Sequence, residues 1–275
     1  MKRVELGNLS IAFEDEGDGI PLVCIHGYPL NRQIWRSQWG GLANSARVIA
    51  SDIRSHGDSF IRGNIKLRGS IHGMDLLAED LADLLDALNI PQPVVINGLS
   101  MGGYVAFAFF RSYPNRVRGL ILTATRARPD LDEEKENRLR SINLAQSQGV
   151  GPIVDVMLQR LVSPKTVSGK PGLVERIREV MLSSSVEGVV GDLKGMMDRP
   201  DARPLLPEIQ IPVLILVGKA DQIIPIEEAQ AMNDSIPDSR LEIIEDAGHL
   251  PNMEQPEIYN RIVRNFLQFL DRGKV

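Results

Sequence analysis

The segment richest in chemistry is Gly98-Leu99-Ser100-Met101-Gly102, inside "PVVINGLSMGGYVAFAFFRSYP". An apolar β-like run enters the pentapeptide and a helix-like run leaves it. A serine on so sharp a strand-to-helix turn needs small neighbours on both sides, because the turn brings the flanking backbone against adjoining chain. The turn lifts the hydroxyl clear of a sheet and sets it at a helix N-terminus, where backbone N–H groups favour developing negative charge. As a plain helix N-cap, the same serine would do no chemistry. A serine hydroxyl is a weak nucleophile near neutrality and needs a base, for which histidine is best suited. Of the four histidines, only His249, in "EDAGHLPNMEQP", follows Ser100, as the partners of such an elbow do. His26 and His56 come directly after earlier strands, and His72 reads as surface or cap decoration at the start of a helix.

A third group must hold the imidazole tautomer and stabilise the imidazolium. Asp221, after the strand of "VLILVGKADQIIP", lies between Ser100 and His249 in the chain, although it would also serve as a turn residue capping the "PIEEAQAM" helix. Asp246 is too close in sequence to His249 to reach its far nitrogen. A tetrahedral oxyanion needs two convergent donors. The backbone N–H of Met101 supplies one, and "CIHGYPLNRQIW" offers the Tyr28 N–H behind a Gly27 that permits close approach. His26 then reads as a loop-shaping hydrogen-bonder.

The elements that must position these residues alternate between short apolar runs and longer amphipathic ones, the pattern of parallel strands joined by crossover helices. "VELGN" and "SIAFEDEG" read as an opening antiparallel pair. "PLVCIH", "RVIASD", "PVVING", "VRGLILTA", "PVLILVG" and "RLEIIEDAG" read as successive strands, several of them buried on both faces. In "SIHGMDLLAEDLADLLDALN", Met74, Leu77, Leu81, Leu84, Leu85 and Leu88 recur at helical spacing, with Glu79, Asp80, Asp83 and Asp86 as a solvated face. "QPEIYNRIVRNFLQFLDRG" has the same period, from Pro256 to Gly273. The rhythm breaks between the sixth strand and "EIQIPVLILVG". That stretch is too long for a loop and is rich in helix formers, so residues 126–205 are expected to form a helical cap inserted into a core of residues 1–125 and 206–275. Within it Met157, Leu158, Leu161, Met181, Met196 and Met197 suit either an apolar pocket or the packing of cap helices. Arg126, Arg128 and Arg199 either reach the site and favour an anionic substrate or are solvated charges, and the second is the favoured reading.

Composition narrows the classes. The chain has 275 residues, 43% of them hydrophobic, and a net charge of −5, which is enough apolar material for a full core and offers no basic face for nucleic acid. The single cysteine, Cys24, sits in an apolar run and fits a buried position in a reducing cytoplasm. No stretch approaches a membrane span or a secretory signal. A cytoplasmic protein with no nucleic-acid or membrane partner is expected.

Taken together, "HGYP", "DIRSHGDS", "GLSMGG", "LVGKAD" and "AGHLPNMEQPE" resemble the α/β-hydrolase superfamily in order and spacing, over the whole chain. The resemblance implies a Ser100–His249–Asp221 triad, oxyanion donors at Tyr28 and Met101, a helical lid, and acyl transfer through a serine ester with no metal or organic cofactor. Relatives usually carry glycine where Ser55 stands. Serine at position 100 disfavours the branches that use an aspartate nucleophile. Small to medium carboxylic esters are the expected substrates. The alternatives are a cofactor-free perhydrolase or haloperoxidase-like enzyme, suggested by Pro29 beside Tyr28, a carbon–carbon bond hydrolase, and a slow-turnover ligand receptor.

Overall fold

The computed structural model describes residues 1–63 and 71–272. Gly273, the expected end of the last helix, lies outside them. Nine strands among the described residues form one sheet in the order β1-β2-β4-β3-β6-β7-β8-β9. The strands are β1 (Lys2–Leu6), β2 (Leu9–Glu16), β3 (Pro21–Ile25), β4 (Arg47–Ser51), β5 (Phe60–Ile61), β6 (Val94–Leu99), β7 (Val117–Thr123), β8 (Val213–Gly218) and β9 (Ser239–Ile244). β1 and β2 form the antiparallel pair read from the sequence, and β2 also runs antiparallel to β4. From β4 onward across the sheet, each neighbouring pair is parallel. β5 is a two-residue pairing with Leu9 and Ser10 of β2. So short a strand has no legible period, and its presence makes β7 the strand that precedes the long helical segment.

Burial follows the sequence pattern. Every residue of β3, β6 and β8 is buried, as expected of central strands covered on both faces. β1 and β9, at the two ends of the order, are largely exposed or half-buried. Helices α1 (Arg36–Leu42), α2 (Met74–Ala87), α3 (Met101–Ser112), α9 (Ile226–Ser235), α10 (Pro251–Glu254) and α11 (Pro256–Arg272) accompany the sheet. α3 is buried all round from Met101 to Phe110, which explains why it shows no polar stripe. On α11, Tyr259, Val263, Leu267 and Leu270 form the buried face. The acidic row of α2 is not uniformly solvated: Asp80 is half-buried and bonds Arg54 through both carboxylate oxygens, at 2.6 and 2.5 Å. Burial raises its pKa despite that partner.

Between β7 and β8 lie α4 (Asp132–Gln148), α5 (Gly151–Leu161), α6 (Pro164–Gly169), α7 (Pro171–Leu182) and α8 (Val186–Met197). α8 packs against α4 and approaches the core loops unusually closely. A Cβ on Gly188 would meet the Ser55 carbonyl oxygen at 2.5 Å, and one on Gly195 would meet the His72 carbonyl oxygen at 1.7 Å. No helix among the described residues is long and apolar enough to cross a membrane.

Candidate active site

Ser100 sits where β6 turns into α3, with φ 55° and ψ −114°. A non-glycine residue in that region is strained by roughly 1–3 kcal/mol and persists only where its surroundings over-determine it. They do so here. The Ser100 N–H donates to the Thr123 carbonyl at 2.8 Å, and its own carbonyl accepts from Thr125 Oγ1 at 2.8 Å. The flanking glycines leave no room for a side chain. A Cβ on Gly98 would lie 2.3 Å from the Gly102 carbonyl oxygen, and one on Gly102 would lie 2.3 Å from that of Ile25.

His249 lies on the loop between β9 and α10, its backbone N–H bonded to the Leu161 carbonyl at 3.0 Å. Its Nδ1 donates to Asp221 Oδ2 at 2.8 Å. Both side chains are buried, at 3% and 0% exposure. Asp221 is both a hydrogen-bond partner of His249 and a turn residue. While Oδ2 takes His249, Oδ1 accepts the backbone N–H groups of Ile223 and Ile224 at 2.8 and 3.0 Å. The helix cap position itself belongs to Pro225. Asp246 turns outward and pairs with Lys165 at 2.5 Å.

The loop after β3 backs onto the elbow. A Cβ on Gly27 would meet Ser100 Cβ and the Leu99 carbonyl oxygen at 3.0 Å each, which brings the following residue, Tyr28, beside Ser100. His26 shapes this loop as read from the sequence. Its Nε2 accepts the Ile53 N–H at 3.1 Å, so Nδ1 carries the proton and donates to the Gly27 carbonyl at 2.9 Å. Burial, then the neighbouring His56, hold the His26 pKa down to about 3, and the ring stays neutral at working pH.

Ser100, Tyr28 and His249 line one cavity of about 430 Å³ with residues from α4, α5 and α8. Of the apolar side chains singled out in the sequence, Met157 and Met196 reach it, joined by Val156 and Leu193. Leu161 and Met181 are fully buried in the core instead.

Two readings of charged residues need correction. The first concerns the arginines. Arg126 and Arg199 are each only 6% exposed, and Arg128 is half-buried. Asp130 accepts from Arg126 at 2.9 Å and from Arg199 at 2.7 Å, and also pairs with Arg138. Glu134 accepts from Arg126 and Arg128, both at 2.7 Å. Burial opposes both carboxylates. The arginines outweigh it, and each is held at about 2.

The second correction concerns His72, which is not on the surface. At 1% exposure it bonds Asp192 of α8 through Nδ1 at 2.8 Å. His56 lies on the other side of the same carboxylate, Nε2 to Oδ2 at 2.8 Å, but too far off line for a hydrogen bond. Asp192 is fully buried. Sequence reading gave Asp192 no role, although glycines at 188, 191 and 195 inside one helix were a legible sign of close packing. Ser184 Oγ donates to the Pro29 carbonyl at 3.1 Å and stands 3.4 Å from His56 Nδ1. His56 thus has the Ser184 hydroxyl at one ring nitrogen and the Asp192 carboxylate close beside the other. Burial alone would lower its pKa; the Asp192 carboxylate reverses this and raises it. Ser55 adopts φ 62°, and its carbonyl accepts from Ser185 Oγ at 2.9 Å.

Known proteins resemble the chain over nearly its whole length. A thermophilic esterase from Thermogutta terrifontis, solved with malate bound, is 42% identical, covers 98% of this chain and 99% of its own, and superposes with a TM-score of 0.93. The 3-oxoadipate enol-lactonase 2 of Acinetobacter baylyi is 29% identical over 93% of this chain and 91% of its own. A pimeloyl-[acyl-carrier protein] methyl ester esterase of Neisseria meningitidis is 28% identical over 89% of this chain and 75% of its own. The family model of the α/β hydrolase fold matches residues 20–256, and the chain belongs to that family.

Proposed function

We propose that the protein hydrolyses carboxylic esters of small to medium size through an acyl-enzyme on Ser100. One observation carries the reading: the His249–Asp221 hydrogen bond of 2.8 Å on a cavity that Ser100 and His249 both line. Asp221 fixes the proton on Nδ1 and leaves Nε2 as the acceptor. His249 then takes the Ser100 proton as the oxygen attacks the ester carbonyl, and the negative charge collects on the carbonyl oxygen between the Tyr28 and Met101 N–H groups. The imidazolium returns its proton to the departing alkoxide. Water, activated by the same histidine, releases the acid.

Residues 126–205 act in this reading as a cap over a core of residues 1–125 and 206–275. The esterase and lactonase relatives support ester cleavage over other acyl transfers, and the lone buried thiol of Cys24 suits a cytoplasmic setting. Pro29 beside Tyr28 favours a secondary perhydrolase activity, read out as peracid formation from acetate and hydrogen peroxide. The primary test is Ser100→Ala. Hydrolysis of methyl and p-nitrophenyl esters and labelling by a fluorophosphonate probe should both disappear, and persistent labelling would place the nucleophile elsewhere.

A further inference from the structure

Charge is distributed unevenly around the cavity. The chain carries a net −5, yet Arg126, Arg138, Arg140 and Arg160 line this one cavity and Glu134 is the only carboxylate among its described lining residues. The carboxylates paired with the arginines do not cancel this. Asp130, Glu134 and Glu228 neutralise Arg126, Arg128, Arg138 and Arg199 only in part, since four cations there face three anions. At the mouth, Arg160 donates to the Gln222 carbonyl at 3.2 Å and meets no carboxylate among the described residues. Arg140 is 65% exposed and stands 3.8 Å from Glu136, itself exposed.

Hydrogen-bonding capacity is lopsided in the same sense. Two lining side chains, each more than nine-tenths buried, have an atom without a partner: the Tyr28 hydroxyl and Arg126 Nε. Arg126 Nε can only donate. Burial pushes the Tyr28 pKa up, so its hydroxyl keeps its proton as a second donor. Buried donors without acceptors are costly in a folded protein. An excess of positive charge beside unmatched donors suits an oxygen anion.

We infer that the preferred substrates are esters that carry a free carboxylate, held by the arginines of α4 and α5 while the ester carbonyl lies at Ser100. The inference rests on the proposed ester hydrolysis and names its substrate class. Neutral esters react but lack the charged anchor. The carboxylate adds binding remote from the reacting bond, which positions the carbonyl and raises kcat/KM.

The test pairs esters of matched shape. Monomethyl glutarate against methyl valerate places the charge on the acyl side, and 4-acetoxybutanoate against butyl acetate places it on the alcohol side. Acid release is followed by pH-stat at low salt. The charged member of at least one pair should be favoured about fivefold in kcat/KM. In Arg140→Gln/Arg160→Gln, two exposed positions at which folding is not at stake, that preference should fall to near parity. Arg240→Gln, on the exposed edge strand, should leave it in place. High salt should erode it in the parent protein. Equal or better turnover of the neutral ester in both pairs would overturn the inference and leave ester hydrolysis standing. No turnover of any ester, with no fluorophosphonate labelling, would instead defeat the parent reading. A preference that survives the double substitution would show that these arginines do not hold the carboxylate.

Discussion

Replacing Asp192 by asparagine should loosen the helical segment from the core. Asp192 lies on α8 with no solvent exposure, 2.8 Å from His56 on one side and 2.8 Å from His72 on the other. Removing one member of a buried ion pair costs about 3–5 kcal/mol, and asparagine, which keeps the volume and one hydrogen bond, belongs at the lower end. At roughly 2.1 cal/mol/K per residue, unfolding a chain of this length has an entropy near 0.6 kcal/mol/K, so about 3 kcal/mol lowers Tm by about 5 °C. The loss depends on pH, with a defined sign. The folded pKa of His56 is raised above its ordinary 6.5, so its pairing stabilises fully below that value and is lost as pH rises through the folded pKa. Asp192, held down to about 2, stays charged throughout that window. The Tm gap between parent and Asp192→Asn, followed by circular dichroism, should be widest near pH 6 and narrow as pH rises through the raised His56 pKa. Because Leu193 and Met196 of the same helix line the cavity, KM should rise as well. A gap below 1 °C at pH 6, or one that widens with pH, would refute the reasoning.

Other perturbations test the elbow and the triad. Asp221→Asn should lower kcat by about three to four orders of magnitude, because the wrong histidine tautomer is then favoured, and steady-state kinetics on a neutral ester would show it. Gly102→Ala places a methyl 2.3 Å from the Ile25 carbonyl oxygen, a backbone atom of a central strand that cannot yield, and should destabilise by about 3 kcal/mol or prevent folding. Urea denaturation measures the former, and recovery of soluble protein the latter.

The sheet and the elbow were legible because their signals are local. A run such as "PVVING" is apolar on both faces, and a serine between glycines at its end has few structural uses. The Asp221–His249 pairing was legible only as chain order, since nothing local in "KADQIIP" separates a turn residue from a hydrogen-bond partner, and the carboxylate proves to be both. Arg126, Arg199 and His72 were misread, and Asp192 passed over, for a single physical reason. Their carboxylate or imidazole partners are set by the fold, and a charged residue looks solvated until its partner is known. Only the glycines of α8 announced that something would come close, and they did not say what. Strand β5 was invisible because two residues hold no pattern.

The two oxygens of Asp221 set a limit on how this enzyme can diversify. One holds His249, and the other folds the turn through Ile223 and Ile224, whose side chains form part of the cavity wall. In the proposed mechanism, substrate fit and proton transfer are therefore joined through a single carboxylate. The half-buried side chain at 223 is open to exchange and that of Ile224, 2% exposed, only to exchanges of matched volume, whereas proline at either position, or any insertion between 221 and 224, would move the wall and the base together. Libraries aimed at new acyl groups should vary residue 223, with volume-matched changes at 224, at fixed loop length, and draw their larger changes from α4 and α5, leaving Leu161, whose carbonyl holds the His249 N–H.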